Sequence, residues 1–325
     1  MLLELAAPAS LPLGVVQVDG RPALLAITLQ HPPVHLEAEA RPRLNITGPR
    51  AHTAYEFARR FYAHHPEASG AEIEIELAIP ANMGLGSDGM LALSMAQTLA
   101  WANQFLSGEA SALAREVNLS PAHAGEVAGY AHGGLLLVCP TPEGARILRR
   151  AEVAHPERAA WAFVFHLPIP PEDFPGDSEA QRLEALWQAA AHLSPDTASL
   201  VETLFQAVAS DDVVSFGKAL LSLQACAIKA LETTRPFPTL TLEEQTIGEI
   251  MQAEGAVAWG RSLTGLGLWG LIRGGDPSRT LRKRLTEHVG IFGGRVMATI
   301  TDNRGAHFLE KPGRLGLIAP IHPRR

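Results

Sequence analysis

The sequence predicts an α+β protein of two domains, and three observations support that prediction. Its 325 residues, 46% of them hydrophobic and 19% charged, have the composition of a soluble globular protein long enough for two cores. Short apolar runs broken by Pro and Gly fill residues 2–39, as in an antiparallel sheet. Farther along, strand and helix patterns follow the order βαββαβ, which is typical of a ferredoxin-like domain.

In the first half of the chain, side-chain periodicity predicts a sheet followed by helices. Residues 33–39 and 72–79 alternate polar and apolar side chains, as half-buried strands do. Helical spacing of apolar residues predicts a helix over 51–64, a buried helix that runs to about residue 106, and a shorter helix near 109–117. The other strands predicted here are residues 2–7, 12–18 and 22–30.

The division into domains follows from the second half of the chain. A buried strand predicted at 161–168, closed by a proline-rich acidic loop, opens a second domain. We therefore expect a first domain at 1–155 that holds a glycine-rich loop, a ferredoxin-like domain at 156–310 and a tail at 311–325. The further predicted elements are helices within 178–232, a helix at 242–254, strands at 256–260 and 267–273, a helix at 277–288 and a strand at 294–301.

Charge and cysteine content narrow the range of partners. The net charge of -7 is spread without a basic block, so we expect neither nucleic acid nor an anionic membrane as a partner. The sequence has no basic leader and no apolar run of the roughly 20 residues that span a bilayer. Cys139 and Cys226 lie far apart without metal-ligand spacing, as in a reduced protein. We therefore expect a cytoplasmic protein that binds a small phosphorylated molecule.

The stretch PANMGLGSDG stands between the strand at 72–79 and the buried helix. Glycine is costly there unless the backbone needs positive φ or another group approaches closely. A glycine-rich turn that enters a helix presents unpaired N–H groups at the positive end of the helix dipole, which predicts a phosphate site; a plain tight turn is the alternative. The predicted phosphate-binding residues are Asn82, Gly84, Leu85, Gly86, Ser87, Asp88 and Gly89.

Two side chains of this loop have alternative roles. Ser87 could cap the helix, donate to a phosphate or ligate Mg²⁺. Asp88 favours the helix dipole but repels a phosphate unless a metal bridges them, so helix capping and metal ligation both stay open. A Walker-type loop is excluded because the first lysine of the chain is Lys218. A phosphate at this loop must therefore be held by backbone N–H groups, arginine or a cation.

The loop resembles the P-x-x-x-G-L-G-S signature of the GHMP kinase superfamily. Pro80 to Ser87 carries that signature, and the flanking strand and buried helix fit the first domain of the superfamily. At several points, ordered over residues 8–306, the chain is similar to one subgroup, the β-ribofuranosylaminobenzene 5'-phosphate (β-RFAP) synthases. The similar segments are Pro8-Ala9 with Leu13-Gly14, Leu91-Ala92-Leu93, His132-Gly133-Gly134, Gly260-Arg261-Ser262 to Gly265, Trp269-Gly270-Leu271 and Asn303-Arg304-Gly305-Ala306.

The resemblance implies a GHMP-kinase-like two-domain fold, with a ribosomal-S5-domain-2-like first domain, a ferredoxin-like second domain and the ligand in the cleft between them. It implies a phosphoribosyl transferase that condenses phosphoribosyl pyrophosphate with an aromatic acid, assisted by Mg²⁺. Oriented N–H groups, arginine and the cation would meet the charge that grows on the pyrophosphate. By their places in the motifs, His132 is a candidate catalytic residue, while Arg261, Ser262 and Arg304 are candidate phosphate contacts. For the two arginines, a surface charge at a strand end is the alternative.

The sequence departs from the synthases after Pro8-Ala9 and before His132, where arginines of the synthases are missing. Glu126 instead stands seven positions before Gly133, at the place of the GHMP-kinase aspartate that acts on the accepting hydroxyl. It is a candidate general base or, with Ser87, a Mg²⁺ ligand; a solvated glutamate is the alternative. An ATP-dependent small-molecule kinase and a non-catalytic binding member are therefore the alternatives to the transferase.

Two remaining features bear on assembly and metal binding. The leucine-rich helices predicted at 183–208 and 213–231 carry apolar stripes, which a homodimer interface or packing between domains would bury. His123 and His132 flank the Glu126 segment at a spacing that matches no recognised metal motif. Zinc and iron are therefore not expected.

Overall fold

The computed structural model describes residues 1–105, 108–142, 144–153, 158–171, 178–194, 196–234, 237–291 and 293–311. The elements of the first half are β1 (Leu2–Val18), β2 (Arg21–Ala40), β3 (Asn45–Thr47), α1 (Ala51–His64), β4 (Ala71–Leu77), α2 (Ser87–Ala102), α3 (Ala110–Glu116), α4 (Ala124–His132), β5 (Leu135–Thr141) and β6 (Gly144–Ala151). Those of the second half are β7 (Trp161–Leu167), α5 (Glu179–Ala189), α6 (Thr197–Ser210), α7 (Val213–Leu231), α8 (Leu242–Ala253), β8 (Ala258–Arg261), β9 (Leu268–Arg273), α9 (Gly275–Val289), β10 (Arg295–Ile300) and β11 (His307–Lys311).

The first sheet is built on one long hairpin. β1 and β2 pair antiparallel from Leu2 to the turn at Asp19, so the separate short strands predicted from the sequence form two continuous strands. Register shifts between Ala7 and Ala9 and again after Pro12 mark bulges, and these let the strand continue past residues that interrupt regular pairing. The sheet order is β11-β1-β2-β4-β3, with β5 paired to β2 and β6 to β5.

The second sheet has the predicted ferredoxin-like order. Its strands lie in the order β10-β7-β9-β8, and all pairs are antiparallel. The strand β7 is buried along its whole length, because the helices α8 and α9 cover one face and Phe216 of α7 packs against Trp161 on the other. Ile247 of α8 and Leu281 of α9 pack with Val164 of β7 in one core cluster. The βαββαβ prediction for this half is confirmed.

The chain returns to the first sheet at its end. β11 pairs with β1, so that Leu2 lies opposite Lys311, although the sequence division grouped residues 307–310 with the second domain. The tail predicted after Lys311 lies outside the described residues. The helix after the glycines ends at Ala102, a few residues before the predicted end, and the Asn103 side chain there donates to the Leu99 carbonyl oxygen at 2.9 Å.

The helices α5 to α7 join the two sheets. Apolar side chains of α7, among them Leu220 and Leu223, are buried within the chain, and Leu223 packs directly against Gly14 of β1. Packing inside the chain thus accounts for the buried part of the predicted leucine stripe. Of the described helices, α7 alone has the length and apolar composition of a membrane span, and half of that apolar window is buried in the protein.

Candidate functional site

The glycine-rich loop lies between the two sheets and is largely buried. Residues 83–87 are buried, and Asn82, Gly84 and Gly86 have φ angles of 65°, 71° and 72°. The two glycines therefore provide the left-handed backbone that turns the chain from β4 into α2. The carbonyl oxygen of Leu85 accepts a hydrogen bond from the Ser10 backbone N–H at 2.9 Å, which fixes the loop to β1.

Protein atoms approach the glycines closely in this structure. A Cβ added at Gly84 would lie 2.8 Å from the Gly265 nitrogen and would collide with the Ser262 hydroxyl. One added at Gly86 would lie 2.9 Å from Cγ of Glu126, which also packs against Gly89. The glycines are needed because neighbouring side chains and backbone fill the space beside them.

The loop after β8 is hydrogen-bonded to the glycine-rich loop. The Ser262 hydroxyl donates to the Gly84 carbonyl oxygen at 3.1 Å, and the Leu266 N–H donates to the Asn82 carbonyl oxygen at 2.8 Å. Ser262 therefore lies beside the glycine-rich loop, as the sequence predicts. Its contact there is with the backbone of the chain itself.

A carboxylate from α5 occupies the N-terminus of α2. Glu179, the first residue of α5, accepts hydrogen bonds from the Ser87 N–H at 3.0 Å, the Ser87 hydroxyl at 3.3 Å and the Asp88 N–H at 2.5 Å. Its side chain is only 5% exposed. Ser178 caps α5 in a capping box with Gln181, which fixes the start of the helix and therefore the position of Glu179.

Glu179 accepts hydrogen bonds from Ser87 and Asp88, the groups at the start of α2 that were predicted to bind a phosphate. A helix N-terminus binds one anion through these N–H groups and its dipole, so a carboxylate and a phosphate there exclude each other. The residues as they lie in this structure therefore do not fit a phosphate group at Ser87 and Asp88. Among the described residues, no group of three His, Cys, Asp or Glu is placed to hold a metal ion.

Four titratable groups converge beside this helix end. Burial raises the pKa of Glu179 to about 7, and the neighbouring Asp88 and Glu126 add to that effect, while His123 opposes it. Burial disfavours the charged form of His123, but the carboxylates of Glu126, Glu179 and Asp88 together raise its pKa above the ordinary value. The site is therefore an acidic cluster with one histidine.

Two arginines that sequence reasoning missed contact the loop. Arg50, at the start of α1, forms an ion pair with Asp88 at 2.5 Å. Arg182 donates to the Asn82 side-chain oxygen at 2.9 Å and to the Thr264 carbonyl oxygen at 2.7 Å. Arg182 stands three residues after Glu179, so the segment SEAQR places the two side chains on one face of α5. That spacing is the only feature of the sequence that could have pointed to Glu179 or Arg182.

Glu126 lies at the glycine-rich loop, as predicted, and it is buried. It is 1% exposed, and within the described part of the chain neither of its carboxylate oxygens has a hydrogen-bond partner. Nδ1 of His123 lies 3.9 Å from Oε1 of Glu126, which is too far for a hydrogen bond. The alternative of a solvated glutamate is wrong, because a buried carboxylate without partners is costly and is typical of a functional group.

His132 and Arg304 do not join this cluster. His132 ends α4, six residues beyond Glu126 and thus about 9 Å farther along the helix axis, and its side chain is exposed. Arg304 is exposed too, and its N–H donates to Asp302 Oδ1 at 2.9 Å. The Gly134 N–H donates to the Asp302 carbonyl oxygen at 2.6 Å. The His-Gly-Gly and Asn-Arg-Gly-Ala motifs thus meet each other through backbone contacts.

Arg261 points away from the glycine-rich loop. Its guanidinium forms an ion pair with Glu244 and donates to the Pro238 carbonyl oxygen at 2.8 Å. It lines a separate cavity of about 470 Å³ beside β7 and α8. Glu244, 17 residues earlier in the chain, pairs with the Arg261 guanidinium in this structure, and the contact of Arg261 with a phosphate stays a prediction.

Comparison with solved structures identifies the fold. By sequence, the chain matches no protein-family profile and no curated protein. By structure, it is similar to a homoserine kinase from Cytophaga hutchinsonii with a TM-score of 0.63 and 16% identity, over 95% of this chain and 97% of that one. It is similar to the mevalonate diphosphate decarboxylase of Staphylococcus aureus with a TM-score of 0.65 and 13% identity, over 95% and 99% of the chains. It is similar to the mevalonate diphosphate decarboxylase of Enterococcus faecalis with a TM-score of 0.65 and 15% identity, over 96% of this chain and 99% of that one.

These neighbours are members of the GHMP kinase superfamily, so the predicted GHMP-kinase-like α+β fold is confirmed. Their identity with this chain is below one fifth, which shows the fold and nothing finer. The particular resemblance to the β-RFAP synthases is not reproduced among them.

Proposed function

We propose that the protein is an ATP-dependent small-molecule phosphotransferase of the GHMP type. Structures that share its fold include homoserine kinases, a phosphotransferase related to coenzyme A biosynthesis, and a mevalonate diphosphate decarboxylase solved with an ATP analogue and magnesium. These relatives support the kinase alternative of the sequence analysis better than its main interpretation as a phosphoribosyl transferase.

The observation that carries the proposal is the environment of Glu126. A general base must offer a free lone pair near the group that it deprotonates. Both carboxylate oxygens of Glu126 are free of hydrogen bonds from the described residues, and its Cγ lies against the loop at Gly86. Under the proposal, Glu126 accepts the proton of the acceptor hydroxyl on one Oε atom, and His123 stabilises the carboxylate from 3.9 Å.

ATP and Mg²⁺ are the co-substrate and metal under this proposal. The predicted ligands Ser87 and Glu126 both supply hard oxygen atoms of the kind that Mg²⁺ prefers. In the arrangement described, however, the Ser87 hydroxyl donates to Glu179. We therefore assign no metal geometry and no step through the nucleotide.

Two other candidates each have a specific observation in their favour. The ordered motifs of the chain favour a phosphoribosyl transferase that uses phosphoribosyl pyrophosphate, although two of those motifs also have a structural role, because Gly134 and Arg304 both donate to Asp302. The occupation of the helix end by Glu179 favours a binding protein without catalysis.

Calorimetric titration with ATP and, separately, with phosphoribosyl pyrophosphate, each with Mg²⁺, tests these candidates. We expect saturable ATP binding, ATP-dependent phosphorylation of a small hydroxyl compound, and loss of turnover by at least about a hundredfold in Glu126→Gln with ATP binding retained. The matched control is Glu184→Gln, a change at an exposed glutamate of α5. Binding of phosphoribosyl pyrophosphate and not of ATP would instead establish the transferase. Unchanged turnover in Glu126→Gln would show that Glu126 is not the general base.

The expectations about the cell and about assembly stay predictions. We propose a small phosphorylated molecule as the ligand, a cytoplasmic location and no role for nucleic acid or membrane. The composition and the two unpaired cysteines support these proposals. A homodimer is a further proposal, which sedimentation analysis of the purified protein tests.

A further inference from the structure

We propose that Glu179 is an internal gate on the glycine-rich loop: its carboxylate occupies the anion-binding end of α2, and a ligand phosphate binds there only after Glu179 has left. The inference rests on the proposed function for the identity of the natural ligand. The competition between carboxylate and phosphate follows from the contacts of this chain alone.

Glu179 and a phosphate would use the same hydrogen-bond donors at the start of α2. Glu179 uses the N–H groups of Ser87 and Asp88 and the Ser87 hydroxyl. These groups stand at the first two positions of a helix of 16 residues, where the dipole favours one negative group. A phosphate that entered the loop would need the same donors, so the two states are mutually exclusive.

The charged groups around Glu179 partly oppose its carboxylate. Asp88 on α2 and Glu126 on α4 repel Glu179, while His123 before α4 attracts it. Arg50 is paired with Asp88, and Arg182 contacts the loop at Asn82 and Thr264. Glu126, which has no hydrogen-bond partner in the described ranges, adds an uncompensated carboxylate beside the gate. Repulsion thus weakens the hold on Glu179; the same carboxylates act on an incoming phosphate, so they loosen the contact without selecting between the two anions.

Glu179 can leave while the other contacts between α5 and the glycine-rich loop stay in place. Arg182, one turn along α5, remains bound to Asn82 and Thr264, and the loop at Ser262 remains bound to Gly84. Only the rotation of a glutamate side chain at the first position of α5 is required. The backbone around the loop therefore stays in place while the donors of α2 become free.

The test measures binding of inorganic tripolyphosphate by calorimetry without Mg²⁺, which requires neither a nucleotide nor turnover. The variants are Glu179→Ala, which removes the competing carboxylate, and Glu179→Gln, which keeps its size and removes its charge. Glu184→Gln on the exposed face of the same helix is the control. Circular dichroism and the thermal midpoint report whether each variant is folded; if Glu179→Ala is not, Glu179→Gln decides.

We expect Glu179→Ala to bind tripolyphosphate at least about tenfold more tightly than the unchanged protein, because the fraction of protein with a free site rises. Glu179→Gln should lie between the two, and Glu184→Gln should match the unchanged protein. Unchanged or weaker binding in both Glu179 variants, including no binding in any variant, would overturn the gate. Tighter tripolyphosphate binding by the Glu179 variants without any ATP-dependent turnover would support the gate and reject the kinase. ATP-dependent turnover with unaltered tripolyphosphate binding in those variants would support the kinase and reject the gate.

Discussion

Glu179 accepts a hydrogen bond from the backbone N–H of Asp88 at 2.5 Å, although the two side chains carry carboxylates that repel each other. The Asp88 carboxylate instead pairs with Arg50 at 2.5 Å. Two acidic residues thus share one helix end because one uses the N–H groups and the other uses a guanidinium. The arrangement makes the charge state of Glu179 a property that stability measurements can detect.

The free energy of unfolding should depend on the pH through Glu179. The pKa of this carboxyl rises from an ordinary value of 4.5 to about 7 in the folded protein. The folded state therefore holds a proton that the unfolded state has lost, so stability from this group is present below pH 4.5 and is lost as the pH rises to about 7. The raised pKa of His123 acts in the same direction.

Urea unfolding of the unchanged protein and of Glu179→Gln, followed from pH 5 to pH 8, measures this dependence. The difference in unfolding free energy between the two should shift in favour of Glu179→Gln as the pH rises, because the amide does not ionise. Glu184→Gln, whose side chain is exposed, should follow the unchanged protein. A difference that stays constant across this range would show that Glu179 ionises as an ordinary glutamate.

Glu126→Gln should stabilise the protein at neutral pH. A buried carboxylate whose two oxygens lack partners in the described structure costs free energy, which an amide of the same size reduces. We expect a gain of about 1 kcal/mol in the free energy of unfolding, together with the loss of turnover stated above. Thermal and urea unfolding measure the gain. A loss of stability would instead assign Glu126 a structural role.

Gly84→Ala should cost more stability than the same change at another glycine with positive φ. At Gly84, with φ at 71°, the added Cβ meets the Ser262 hydroxyl and the Gly265 backbone, whereas at Gly255, with φ at 92°, it meets open space. We expect a cost of about 1–2 kcal/mol at Gly255 from the backbone conformation alone, and about 3 kcal/mol or more at Gly84. Urea unfolding of both variants compares them, and equal costs would contradict the close packing of the two loops.

The local part of the site was accessible to sequence reasoning. The loop, Ser262 and Glu126 were all named as candidates, and the structure brings them together. Glycines at a strand-to-helix turn, and an acid at a fixed distance before Gly133, are features of neighbouring residues and can be recognised one segment at a time. His132, Arg261 and Arg304 were named by the same reasoning and lie elsewhere, because a motif gives no information about which partner its side chains meet.

The sequence by itself determined many of the elements and their order, although β3, α4, β5, β6 and β11 were not among the predicted ones. The helix at 51–64 has the predicted bounds, and the βαββαβ order forms the predicted sheet, because periodicity of 2 or 3.6 residues is a local property. Only the tertiary structure decided what occupies the glycine-rich loop. Glu179 stands 92 residues from Ser87 along the chain, and no local pattern links the two. Their contact exists because the chain folds the start of α5 against the start of α2, which places one buried carboxylate where a helix end needs an anion.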